Sequence, residues 1–125
     1  MAHTEAVVFD MDGVLRVGRD PILGVNRIVE SLDARDIRIG IITNECRFAP
    51  ADLRSMLFDI GIRYPEDAFV YTSGMAMRDY FLDKAKRFPN DSFILGVVGE
   101  SGLSSVLEDL ISLGNFVFCE EPVCE

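Results

Sequence analysis

Ala6-Val7-Val8-Phe9-Asp10-Met11-Asp12-Gly13-Val14-Leu15 is the stretch on which the reading of this chain turns. Its first four residues form a short apolar run that ends on a carboxylate, the pattern of a strand buried in a sheet. Residues two apart in an extended segment point to the same side. Asp10 and Asp12 therefore face one place while Met11 turns to the other side, into the core. Gly13 lets the chain leave the strand sharply. Two carboxylates held close repel each other and need a cation or a shared proton. A hard divalent ion such as Mg²⁺ accepts such oxygen ligands. A carboxylate can also attack phosphorus, and a second carboxyl group can carry the proton. Taken alone, an Asp-x-Asp at a strand end is more often an ordinary turn former.

Working outward, strands and helices alternate. Val25, Ile28, Val29 and Leu32 recur at helical spacing, and Ile37 to Ile42 reads as a second strand closed by Thr43-Asn44. Pro50 suits a first helical turn, Leu53, Met56, Leu57 and Ile60 form the next stripe, and Gly61 is a stop signal. Phe69 to Tyr71 predicts a short strand, with a helix after it carrying Met77, Tyr80 and Phe81. Phe93 to Val98 predicts a third clear strand. Leu103, Val106, Leu107 and Leu110 form a helical stripe closed by Gly114, and Phe116 to Phe118 a last strand. This alternation argues for an α/β fold with a parallel sheet covered by helices on both faces. Ligands in such sheets bind outside the carboxyl ends of the strands. That is where Asp10, Asp12, Thr43 and Asn44 fall.

Composition narrows the function classes. The chain has 125 residues, 49% hydrophobic and 26% charged, which suits one folded domain over residues 1–125 rather than a disordered segment. A formal net charge of -9 weighs against nucleic acid or an anionic membrane as partner. It also means that a phosphate site would need local positive charge. No apolar run approaches a membrane span, and the polar start is unlike a signal peptide. The three cysteines, Cys46, Cys119 and Cys124, make no disulfide framework, and with His3 they have no zinc spacing. Reduced thiols in a cytoplasmic setting are the expectation.

At Val8 to Leu15 the sequence resembles the first motif of the haloacid dehalogenase superfamily, and Ile41-Ile42-Thr43-Asn44 resembles the second. Gly18 to Gly24, Leu53 to Gly61, Thr72-Ser73-Gly74 and Gly99 to Leu103 are similar to the branch holding the para-nitrophenyl phosphatases and phosphoglycolate phosphatases. The resemblance spans roughly residues 5 to 118. It implies a Rossmann-like core and a phosphatase of small phosphorylated metabolites, working through an aspartyl phosphate. Asp10 would be nucleophile and Mg²⁺ ligand. Asp12 would be general acid/base and bind the metal through its backbone carbonyl. Thr43 and Asn44 would hold the phosphoryl group.

The chain departs from the family in two ways. Glu45 stands where relatives carry a small polar residue; it reads with Arg47 as a solvated loop charge, the alternative being that Arg47 offsets it or touches a substrate anion. The family's Lys and its remaining metal carboxylate belong to later motifs, beyond an inserted cap domain. The two lysines here, Lys84 and Lys86, fall on a helix between strands, and Glu120-Glu121 lacks the expected pattern. The expectation is thus a truncated core without a cap, with impaired turnover. The first strand would be an open edge able to pair with a second copy or another chain. The competing reading is a catalytically silent α/β module that binds a metal or a partner.

Overall fold

Each apolar run ahead of a polar strand end becomes a strand, and each stripe at helical spacing a helix. The computed structural model describes residues 4–119. His3, Glu120, Glu121 and Cys124 lie outside them. The elements are β1 (Ala6–Asp10), β2 (Arg16–Val17), β3 (Asp20–Pro21), α1 (Val25–Asp33), β4 (Arg38–Thr43), α2 (Pro50–Asp59), β5 (Phe69–Thr72), α3 (Ser73–Arg87), β6 (Phe93–Gly96), α4 (Ser101–Leu107), a 3₁₀ turn over Glu108–Leu113, and β7 (Phe116–Cys119). The fold is α/β with parallel strands, as expected. The chain divides into two compact units, one holding residues up to Thr43 and Pro50–Tyr71, the other Asn44–Ala49 and the residues from Thr72 on.

In the first unit the sheet order is β1-β4-β5. β1 and β4 run parallel, with Ala6 opposite Arg38, Val8 opposite Gly40 and Asp10 opposite Ile42. Alternation sends Ile39, Ile41 and Val70 to a buried side, where they are 4%, 1% and 6% exposed. α1 packs against β4 and buries Val25 and Val29, while α2 buries Leu53 and Leu57 completely. Each such leucine contributes on the order of 1.5–3 kcal/mol by leaving water. Val8, Ile42 and Phe69, on the other side, stay about half exposed. Among the described residues nothing pairs with the outer edge of β1.

A tight hairpin, β2 with β3, pairs Arg16 with Pro21 and Val17 with Asp20. Gly18 takes φ +60° at its turn, a left-handed conformation that favours glycine. Asn26 bridges α1 to the loop after α2: its Nδ2 donates to the Gly61 carbonyl at 2.8 Å, and its Oδ1 accepts from the Arg63 N–H at 2.9 Å.

The second unit has its own core of Leu107, Leu110 and Phe116, packed by Phe81, Leu82, Phe93 and Leu103. The Phe93 ring stacks on Phe116 at 5.2 Å between centroids, and Phe81 meets Phe116 edge-on at 5.9 Å. β6 and β7 pair in parallel, Phe93 opposite Phe116. The third strand is shorter than its apolar sequence suggests. It ends at Gly96, and Val98 beyond it is 87% exposed. The stripe from Leu103 to Leu110 is also split, because α4 gives way to the 3₁₀ turn at Glu108. α3 starts on Thr72, whose Oγ1 accepts from the Met75 N–H at 3.3 Å, a standard N-cap. Among the described residues, no helix is long and apolar enough to cross a membrane.

Candidate active site

β1 delivers Asp10 to its carboxyl end, exposed and directly opposite Ile42 of β4. Thr43, the next residue of β4, therefore ends the neighbouring strand at the same level. Met11 is fully buried and Asp12 is exposed, so the two carboxylates leave the core while the methionine between them anchors the strand end. Asp10 Oδ1 accepts the Met11 N–H at 2.8 Å. That bond fixes the carboxylate and leaves Oδ2 as the oxygen it can offer.

After Asp12 the chain turns tightly. The Met11 carbonyl accepts from the N–H groups of Leu15 at 2.9 Å and Arg16 at 3.2 Å, and the Gly13 N–H donates to the Arg16 carbonyl at 2.8 Å. Gly13 has φ +85°, which a side chain would strain. The turn carries Arg16 back onto Asp12: its Nε donates to Asp12 Oδ1 at 2.9 Å. The Arg16 side chain is 9% exposed, against 51% for Asp12. Its Nη1 lies 3.2 Å from the Met56 sulfur on α2. Sequence reasoning missed Arg16. The available signal was one arginine set between apolar Val14, Leu15 and Val17, four residues after Asp12.

Thr43 is 4% exposed. Asn44, in the second unit, is exposed, and its carbonyl accepts from Ser73 Oγ at 2.8 Å. Glu45 differs from the expectation of a solvated loop charge. It is 8% exposed and its Oε1 takes both the backbone N–H and the Nε of Arg47, at 2.8 and 2.9 Å. A buried carboxylate needs such a partner, and Arg47, whose own side chain is 55% exposed, folds back to supply it. The Arg47 carbonyl in turn accepts from the Gly102 N–H at 3.2 Å. Lys84 and Lys86 lie on α3, as expected, with Lys84 Nζ over the Phe93 ring at 5.4 Å. Cys46 and Cys119 are free thiols.

The donor set at the end of β1 consists of carboxylate and carbonyl oxygens, which suits a hard cation. Among the described residues no three or more His, Cys, Asp or Glu side chains are grouped to hold a metal. Mg²⁺ does not require such a group, because it commonly uses one or two carboxylates and completes its shell with water and phosphate. Asp10 and Asp12 fit that pattern.

Comparison with known proteins identifies the family. Residues 7–110 match the family of haloacid dehalogenase-like hydrolases. The chain is 33% identical over 98 residues to a dihydroxyacetone phosphatase of Corynebacterium glutamicum, covering 78% of this chain and 34% of that protein. Among solved structures, it is similar to a hypothetical protein of Pyrococcus horikoshii, with a TM-score of 0.70, 32% identity, and coverage of 90% of this chain and 40% of the other. It is also similar to a 4-nitrophenylphosphatase of Thermotoga maritima, with a TM-score of 0.70, 27% identity, and coverage of 94% and 42%. The chain spans 34% and 40% of the lengths of the curated relatives it matches. A family match over most of its length, and a first strand ending in two outward carboxylates, place this chain in the haloacid dehalogenase-like hydrolase family.

Proposed function

We propose that this chain carries the nucleophile half of a phosphomonoester hydrolase acting on small phosphorylated metabolites in the cytoplasm. The observation that supports it most is the outward pair Asp10 and Asp12 on a strand end anchored by buried Met11. The relatives named as phosphatases point to the same reaction class.

In the proposed reaction Asp10 Oδ2 forms a bond to phosphorus as the ester P–O bond breaks, giving an aspartyl phosphate. Asp12 gives its proton to the leaving oxygen through Oδ2, since Arg16 occupies Oδ1. Asp12 then takes a proton from water, whose oxygen attacks phosphorus. The Asp10–phosphorus link breaks, and inorganic phosphate and the free carboxylate result. Thr43 and Asn44 hold phosphoryl oxygens, the Thr hydroxyl and the following N–H being donors for developing negative charge. Mg²⁺, held by Asp10 and Asp12, would supply charge neutralisation and align the phosphate with the nucleophile. Among the described residues no third His, Cys, Asp or Glu is grouped with the pair, and turnover by this chain alone is expected to be feeble or absent.

The test is hydrolysis of para-nitrophenyl phosphate with and without Mg²⁺, using Asp10→Asn as control. Activity that needs both Mg²⁺ and Asp10 supports the reading. Activity equal in Asp10→Asn would sink it.

The edge of β1, unpaired among the described residues, and the half-exposed Val8, Ile42 and Phe69 favour a second reading. On that reading the chain is a silent module, completed by a second copy or a partner chain along the edge. Stabilisation by Mg²⁺ with no turnover at any protein concentration would favour it.

A further inference from the structure

Two carboxylates at one strand end require a neighbouring positive charge. The structure already contains one. Arg16 reaches Asp12 through its Nε at 2.9 Å, and it does so from a side chain only 9% exposed. Its far end rests on the Met56 sulfur. Its backbone is bound on both sides, by the Met11 carbonyl and the Gly13 N–H, and it pairs with Pro21 in the hairpin. Swinging the guanidinium into water would break its contacts with Asp12 and Met56 together, and the backbone bonds hold the base of its stem. The cation is therefore fixed in place before any ligand arrives.

We propose that Arg16 is a resident counter-ion that lowers the affinity of the Asp10–Asp12 pair for a divalent cation. The inference rests on the reading that this pair takes such an ion. A guanidinium on Asp12 satisfies part of the negative charge that would attract a metal, and it repels the metal in a partly buried setting where screening by salt is weak. Arg16 acts through Asp12 and is a positioning residue. The proposal separates cleanly from a purely structural role. If Arg16 merely held the turn in shape, its loss would loosen the site and weaken metal binding. As a counter-ion, its loss tightens binding.

The experiment measures Mn²⁺ binding by water-proton relaxation, with Mg²⁺ as competitor, in the unmodified chain, Arg16→Gln, Arg16→Lys and Asp10→Asn. Arg16→Met serves as a second neutral variant, because it keeps an apolar stem beside Met56 if the glutamine variant fails to fold. The expected result is Mn²⁺ binding about tenfold tighter in the neutral variants, equivalent to about 1.4 kcal/mol, with Arg16→Lys close to the unmodified chain. Equal or weaker binding in the neutral variants, with Asp10→Asn still abolishing it, overturns the counter-ion and leaves the metal-site reading intact. An equal gain in Arg16→Lys also overturns it, since the charge is retained there. Absence of saturable binding in every protein overturns the metal-site reading itself, and this inference with it.

Discussion

The ring of Phe69 on β5 lies against Gly40 on β4, in the space a β-carbon at that position would fill. A side chain at this position would meet the ring, and glycine leaves room for it. Gly40→Ala should therefore destabilise the chain by about 1–3 kcal/mol, the usual cost of overpacking. Phe69→Ala in the same background should recover part of the loss, because the clash disappears with the ring. Urea denaturation of the two single variants and the double variant measures this. A neutral Gly40→Ala would show that the ring swings aside at no cost.

Asn26 uses both ends of its amide across the loop after α2, giving to Gly61 and accepting from Arg63. Asn26→Ala should cost about 1–2 kcal/mol for the pair of bonds. Asn26→Asp keeps the acceptor and should cost less. If the two variants unfold at the same denaturant concentration, the acceptor contributes nothing.

Burial pushes the Tyr64 hydroxyl above the usual phenol range, with Arg54 beside it pulling modestly the other way. The folded state thus holds this proton more firmly than the unfolded state does. Above about pH 10 the unfolded chain loses the proton first, so stability falls as pH rises through the alkaline range. Tyr64→Phe keeps the ring beside Arg54 and should flatten that fall. Thermal unfolding between neutral pH and the alkaline limit tests it, and identical slopes for both proteins would rule it out.

Among the described residues the outer edge of β1 is unpaired, and Ala6–Asp10 carries no proline and no lysine, the devices that usually guard such edges. Higher protein concentration should therefore drive association, and Val8→Lys should suppress it. Light scattering coupled to size-exclusion chromatography reads this directly. Monomers in both proteins across the full concentration range would dismiss the edge as an interface.

Much of the fold can be read from the sequence because the strands are marked by apolar runs. Ala6 to Phe9 and Ile37 to Ile42 locate β1 and β4 to within a residue, and alternation alone sends Met11 inward and Asp10 and Asp12 outward. The hairpin of β2 and β3 could not be read that way. Two-residue strands, one of them Asp20–Pro21, carry no periodicity. Arg16 was missed for a related reason: its apolar neighbours mark it as unusual, but its partner is set by the turn and not by spacing along an element. Glu45 was misjudged because a loop charge is usually solvated, and only the fold brings Arg47 back over it. Val97 and Val98 look like strand, but β6 ends at Gly96; Val97 packs on the core of Leu107, Leu110 and Phe116 from outside the strand, and Val98 is exposed.

The register of β1 on β4 has a consequence for folding as well as for chemistry. Asp10 faces outward only because it sits opposite Ile42. A slip of one residue would turn every side chain of the strand to the other side, burying Asp10 and exposing Met11. The two strands are far apart in sequence, and parallel pairings of this kind form slowly. A misregistered chain would therefore be compact and rich in β-structure yet hold Asp10 in the core. For this protein, correct folding and the appearance of the candidate site are a single event.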